Sequence, residues 1–328
     1  MKKFVLIRTP MRISFVGGGT DFLDYYNKYE GSVFSAAIDK YIYLAVNKYH
    51  DEKRCLLKYS KSENVRHLYE IKHPLIKHAL ELTKTWGLDI NSIADIPSGT
   101  GLGSSSSFTV GLINALRMIS GKKSQKKMLA ELASKVEINL AQSPIGKQDQ
   151  YAASYGGINK FIFKKNNYVR VINYDDKINY KLFLNNLLIL NTGIEENNFK
   201  ILSQQKFNVK KGGKYLDSLH LMKASVDQFI KYLIRDDFKS CGDIVHQNWN
   251  LKKKLSSSIN NKNFDEIYKI AITNGAYGGK ILGAGGRGYM LLIAPKNKHY
   301  LIAKKLPKLK ILKFSFDFNG SESLFTRS

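Results

Sequence analysis

The sequence predicts an α+β protein of two domains sharing a cleft, on three observations. At 328 residues the chain exceeds the roughly 100–200 residues usual for one domain. Its first half mixes strand-like runs with amphipathic helices, whereas its second half is mainly helical and closes on strand-like runs. Three glycine-rich stretches, at residues 10–21, 96–107 and 278–288, lie at the joints between these segments.

Residues 4–7 and 11–16 read as short strands, and 33–47 holds β-branched and aromatic residues suited to paired strands. From Phe108 the apolar residues Leu112, Ala115, Leu116 and Ile119 recur at helical spacing, and Met128, Leu129, Leu132, Val136 and Leu140 repeat that pattern. Residues 159–163 and 168–172 flank Lys164-Lys165-Asn166-Asn167 as a hairpin, and 187–191 is a further strand. Helices are expected near 195–209, 215–234, 238–248 and 264–274, followed by strands at 289–294 and 311–318 around a helix at 300–306. The domain junction falls near 175–186, which divides the chain into 1–180 and 181–328.

Composition narrows the class. Hydrophobic residues at 43% and aromatics at 12% describe a globular chain with a substantial core. Cys55 and Cys241 stand alone, so neither a disulfide framework nor a zinc site is suggested, and a reducing compartment fits. The apolar run at 4–7 is too short for a signal peptide, and nowhere do about 18 apolar residues run together as a span requires. The expectation is a cytoplasmic protein without a membrane partner. The net charge of +25 attracts nucleic acid, anionic membranes or phosphorylated ligands. Its lysines are nevertheless scattered, with short clusters such as those at 122–127, 252–254 and 304–305. They read as solvated faces, with no nucleic-acid partner expected and a contribution to attracting phosphorylated substrates left open.

The glycine-rich stretches carry the chemistry. Ile96-Pro97-Ser98-Gly99-Thr100-Gly101-Leu102-Gly103-Ser104-Ser105-Ser106-Ser107 directly precedes a helical pattern. Such a loop presents free backbone N–H groups and the positive end of the helix dipole, to which phosphate is the natural occupant. Its serine hydroxyls can donate to phosphate or coordinate magnesium. No Walker A sequence occurs in the chain. The stretch at 278–288 contains a formal GxGxxG at Gly283, Gly285 and Gly288, but a helix precedes it and a strand follows, the reverse of a dinucleotide fingerprint. It is either a tight turn into a strand or a backbone that packs beneath the first loop. In the third stretch Arg12 can neutralise phosphoryl charge and Asp21 can accept hydrogen bonds from sugar hydroxyls, behind the turn Gly17-Gly18-Gly19-Thr20. Alone, Arg12 is equally a surface strand residue and Asp21 a helix cap. Glu137 and Asp149 could divide two roles, one holding magnesium and one facing a nucleophilic hydroxyl.

Taken in order, these stretches resemble the three motifs of the GHMP kinase family: Pro10-Met11-Arg12-Ile13…Gly19-Thr20-Asp21, Pro97…Gly101-Leu102-Gly103-Ser104-Ser105-Ser106-Ser107, and Lys280…Gly283-Ala284-Gly285. Within the family, Gly17-Gly18-Gly19-Thr20-Asp21, Gly146-Lys147-Gln148-Asp149-Gln150-Tyr151-Ala152-Ala153 and Trp249-Asn250-Leu251-Lys252-Lys253-Lys254-Leu255 look like the bacterial D-glycero-D-manno-heptose 7-phosphate kinase branch. That branch phosphorylates the anomeric C1 hydroxyl to a 1,7-bisphosphate, toward nucleotide-activated heptose for surface polysaccharide. The resemblance implies a domain like the second domain of ribosomal protein S5 followed by a ferredoxin-like domain, with ATP between them. It also implies Asp149 as catalytic aspartate with Arg12 near the transferred phosphoryl group, Ser105 and Glu137 as magnesium ligands, and Gly18, Gly19, Thr20 and Asp21 as sugar-binding residues. Pro97, Gly99, Gly101, Leu102, Gly103, the four serines, Gly283 and Gly285 would surround the nucleotide. Arg287 departs from the pattern, standing where a run of the form GAGGGG has glycine. The rival readings are an anomeric kinase for a free sugar such as L-fucose or galactose, and a non-catalytic nucleic-acid-binding protein on an S5-like fold.

Overall fold

The computed structural model describes residues 2–193, 198–256, 259, 262–286 and 288–328. In order, its elements are β1 (Phe4–Val16), α1 (Leu23–Tyr29), β2 (Gly31–Lys48), β3 (Cys55–Lys58), β4 (Ser62–Val65), α2 (Pro74–Thr83), β5 (Leu88–Ala94), α3 (Ser104–Ile119), α4 (Lys126–Ser134), α5 (Gln148–Tyr155), β6 (Ile158–Phe163) and β7 (Val169–Asn173). There follow α6 (Tyr180–Asn185), β8 (Leu187–Asn191), α7 (Asn198–Lys211), α8 (Lys214–Ile234), α9 (Phe238–Leu255), α10 (Lys262–Thr273), β9 (Gly278–Ile281), β10 (Tyr289–Ile293), α11 (Lys296–Lys305), β11 (Lys310–Ile311) and β12 (Glu322–Arg327).

An eight-stranded sheet runs β12-β1-β2-β5-β3-β4, with β6 also on β2 and β7 on β6. Its spine is the long antiparallel pair of β1 and β2. In β1 burial alternates through Val5 and Ile7, then becomes continuous from Thr9 to Val16; in β2 it is continuous from Gly31 to Ile38, then alternates through Ile42, Leu44 and Val46. Alternation marks a sheet open to solvent on one face, and continuous burial a sheet covered on both. The doubly covered ends meet in register, Met11 against Ile38 and Ile13 against Ala36, and there α8 and α9 pack onto the sheet.

The second sheet is antiparallel, ordered β11-β8-β10-β9. Its two faces sort its side chains. Leu187, Ile189, Leu291 and Ile293 join the main core with Phe229 and Val245, while Leu188, Leu190, Met290 and Leu292 pack with Phe264, Ala271 and Ile302. Aromatic rings join the halves: Phe15 lies 5.0 Å from Phe183 and 5.8 Å from Phe229, centroid to centroid. Such dense contact fixes the floor of any cleft between the halves.

Several elements differ from expectation for physical reasons. The two short strands at 4–7 and 11–16 are one strand, because the register slips between Pro10 and Met11 and a bulge accommodates the missing N–H of proline. The paired strands expected at 33–47 are likewise one strand, with β5 and β6 sharing its far edge. The strand expected at 311–318 is only Lys310–Ile311. Beyond it the chain crosses to the first sheet, bridging Phe316 to Ile38, and ends as β12 beside β1. Helix α9 runs to Leu255 rather than 248. Residues 195–197 of the first expected helix of the second half lie outside the described residues, and α7 covers the remainder.

Candidate active site

The glycine–serine stretch is the connection from β5 to α3, and α3 begins at Ser104, four residues before the apolar pattern. At Gly101 glycine is compulsory: φ is +87°, and a Cβ would lie 2.5 Å from the carbonyl oxygen of Leu282. The loop therefore rests directly on the loop joining β9 and β10, with a Cβ at Gly283 reaching within 2.4 Å of Gly101 Cα. The second glycine stretch follows a helix, α10, as expected; it contains β9 and the hairpin connection to β10, and it also backs the first loop. Arg287 lies outside the described residues.

A cleft of about 280 Å³ opens over these loops. Gly99, Gly101, Gly103, Ser104, Ser105, Ser106 and Gly283 line one end; Arg12, Gly18, Gly19, Asp21 and Asp149 line the other. Six expected site residues stand back from the surface of the cleft, the buried Glu137 among them. Leu102 is in the main core, Pro97 is exposed, and Gly285 packs against the Trp249 ring. Ser107 Oγ donates to the carbonyls of Pro10 at 2.7 Å and Gly103 at 3.1 Å. Thr20 Oγ1 donates to the carbonyls of Gly17 at 2.8 Å and Ser32 at 2.9 Å, bracing the triple-glycine turn.

Arg12 and Asp149 come together across 137 residues of chain. The guanidinium donates to both carboxylate oxygens, Nε to Oδ1 at 2.8 Å and Nη2 to Oδ2 at 2.7 Å, while Nη1 donates to Gly101 O at 2.6 Å. A fork-to-fork pair of this kind holds a carboxylate in one orientation. It also ties Asp149, in the first turn of α5, to the glycine loop. Beside it Asp21 accepts from the Gly19 amide at 2.9 Å and from Gln148 through its backbone N at 3.3 Å and side chain at 3.2 Å. Gly146 makes room for it, since a Cβ there would lie 2.1 Å from Asp21 Oδ2. Burial, then the charge of Asp149, raises the Asp21 carboxyl above its ordinary range.

Glu137 arrives by a different device. The second predicted helix is α4 followed by a π-helical turn, Lys135–Leu140, in which the Ala141 amide bonds to Val136 O five residues back. Such widened turns recur where a side chain must be displaced from the regular helical position. Glu137 is fully buried, accepts from Ser105 Oγ at 2.7 Å and from Gln150 Nε2, and has no cation partner among the described residues. Burial raises its carboxyl above the usual range. An enclosed carboxylate with only neutral donors, open to the cleft through a serine, fits a magnesium ion that takes its other ligands from phosphates and water. No cluster of three or more His, Cys, Asp or Glu forms a self-sufficient metal centre among the described residues.

Two lysines in the cleft stand in stretches quoted above, but sequence alone assigns neither a role. Lys252 on α9 and Lys280 on β9 are 8% and 5% exposed, and among the described residues each bonds only to a backbone carbonyl, of Gly283 and Phe15 respectively. Burial first, and then neighbouring positive charge, pushes the Lys252 amine down to about 8 and that of Lys280 well below its usual range. A signal existed: Val245, Trp249 and Lys252 share one helical face, so the lysine interrupts an apolar stripe. Ser14 and Gln148 also line the cleft, and Ser14 Oγ and Gln148 Oε1 are buried without a hydrogen-bond partner among the described residues. No helix among the described residues is long and apolar enough to cross a membrane.

Comparison with known proteins agrees with this architecture. The family model for the GHMP kinases N terminal domain matches residues 73–157, and that for GHMP kinases C terminal matches 229–310. A D-glycero-alpha-D-manno-heptose 7-phosphate kinase from Campylobacter jejuni is 31% identical over 98% of this chain and 99% of its own. A galactokinase from Pyrococcus furiosus is 26% identical over 95% of each. Among solved structures, a D-glycero-D-manno-heptose 1-phosphate kinase from Bacteroides thetaiotaomicron superposes with a TM-score of 0.80 at 21% identity, covering 99% of this chain and all of that one. With both family domains in order and a relative matched nearly end to end, the chain belongs to the GHMP kinase family, enzymes that transfer phosphate from ATP.

Proposed function

We propose that this kinase transfers the γ-phosphoryl group of ATP to the anomeric C1 hydroxyl of D-glycero-D-manno-heptose 7-phosphate, in the cytoplasm, toward nucleotide-activated heptose. The substrate rests on the heptose 7-phosphate kinase to which the chain is 31% identical. The observation that carries the reaction is the Asp149 carboxylate, held by Arg12 and facing the glycine–serine loop across one cleft.

In this reading the N-terminal domain, 1–180, supplies both ends of the site. The C-terminal domain, 181–328, backs the loop through Gly283, and its last strand returns to the first sheet. The amides of the first turn of α3 meet the phosphates. Asp149 takes the proton of the attacking hydroxyl, and its fixed orientation aims one oxygen at that hydroxyl. Asp21, the Gly18–Gly19 turn, and the unpartnered Ser14 Oγ and Gln148 Oε1 bind and orient the sugar hydroxyls. Glu137 and Ser105 would hold magnesium, which when bound neutralises charge on the phosphates.

The test is ADP release with magnesium and ATP over D-glycero-D-manno-heptose 7-phosphate, L-fucose, galactose and no sugar. Turnover with the heptose phosphate alone is the expected result. Turnover with a free sugar would keep the kinase and replace the acceptor. Absence of ADP from every acceptor in folded protein would remove the reading.

A further inference from the structure

Arg12 is the obvious cation for the phosphoryl group in flight, yet each of its nitrogens already donates, two to Asp149 and one to Gly101 O, leaving two of its five N–H donors. Its charge is matched by Asp149, so the pair brings no net positive charge to the point of transfer. Lys252 differs in its charge balance. Its amine has no carboxylate partner among the described residues, and one carbonyl bond, to Gly283, leaves two of its three N–H donors unengaged. Gly283 packs on Gly101, and Gly101 O holds Arg12. Lys252 therefore lies beside the line from the glycine loop to Asp149.

We propose that Lys252 is the residue that donates to the transferred phosphoryl group, and that Arg12 is a positioning residue for Asp149. The inference rests on the phosphotransfer reading above. As the acceptor oxygen forms its bond to the γ-phosphorus, the bond to the β-phosphate bridging oxygen breaks, the electron pair leaves with ADP, and the hydroxyl proton passes to Asp149. Charge on the three equatorial oxygens is what a nearby ammonium stabilises. The charged groups facing Lys252 are Arg12 from β1, Asp21 before α1, Asp149 from α5 and Lys280 from β9. Those carboxylates favour its charged form, while burial and Arg12 oppose it.

Lys252→Met keeps length and removes the charge. It is expected to lower kcat by about 10²–10³-fold, with the Kd for ATP and the acceptor KM within about threefold of wild type. Lys252→Arg, which stays charged, is expected to retain part of the rate and to lose the alkaline fall in kcat/KM expected of the wild type above about pH 8. Normal kcat in Lys252→Met would overturn the proposal. So would unchanged kcat with a raised acceptor KM, which would make Lys252 a ligand for the acceptor's own phosphate. Should wild type turn over no acceptor, the activity reading falls separately. The phosphorus resonance of the γ-phosphate in bound AMP-PNP then decides: it shifts in Lys252→Met if the amine touches that group and stays put if it does not.

Discussion

The two ends of the cleft hold carboxylates in opposite ways. Asp149, with an 18% exposed side chain, is bracketed by a guanidinium; Glu137, fully buried, is held by neutral donors alone among the described residues, two serines and a glutamine. At one end the protein supplies the countercharge itself, which fixes a carboxylate in a chosen orientation. At the other it leaves a buried acid without one, and an uncompensated buried charge is costly unless a cation arrives. The difference separates a group built to move a proton from one built to receive an ion.

Removing the charge at the paired end should have the largest effect. Asp149→Asn is expected to lower kcat by about 10³-fold or more, leaving ATP binding and the magnesium titration unchanged. Glu137→Gln should cost about 10²-fold and move the magnesium midpoint upward. If the two variants shifted the magnesium titration equally, the division of roles would be wrong.

Lys252 sharpens the comparison through stability. Its amine is lowered from 10.5 to about 8 in the folded protein, so between those values the unfolded chain binds the extra proton. Stability attributable to this group therefore rises with pH across that window. Lys252→Met should be more stable than wild type at pH 7, on the order of 2 kcal/mol, and should lack that rise; urea unfolding at pH 7 and pH 10 reads both. The smallest effect concerns the +25 charge. Raising salt from 0.05 to 0.3 M should increase the KM for a phosphorylated acceptor by about two- to fivefold while leaving kcat unchanged, because the Arg12–Asp149 pair is sheltered from screening. An unchanged KM would mean that the scattered lysines take no part in recruitment.

The sequence made the phosphate end legible because its chemistry is local: glycines and serines abut a helical periodicity, and a helix N-terminus needs nothing further to attract an anion. The acceptor end is assembled by tertiary contact. Nothing in the chain announces that Arg12 clasps Asp149, or that Gly146 exists to clear Asp21. Lys252 reads as solvated charge because lysine is so abundant here, Lys280 enters only as the first residue of the C-terminal motif, and apolar neighbours alone betray the burial of either. Among the elements, the strand at Leu187–Asn191 carries an uninterrupted apolar run over its first four residues, and expectation and structure agree on its bounds. By contrast β12 is an edge strand of mixed polarity, Glu322-Ser323-Leu324-Phe325-Thr326-Arg327, whose identity comes from pairing with β1.

The central claim is that Asp149 directs phosphoryl transfer to an anomeric hydroxyl. Phosphorus NMR of the product formed from ATP and D-glycero-D-manno-heptose 7-phosphate tests it most directly. A new ester resonance coupled to the C1 proton, formed by the wild type and absent with Asp149→Asn, is the predicted result. An ester at any other carbon, or an undiminished C1 ester from the variant, would contradict it.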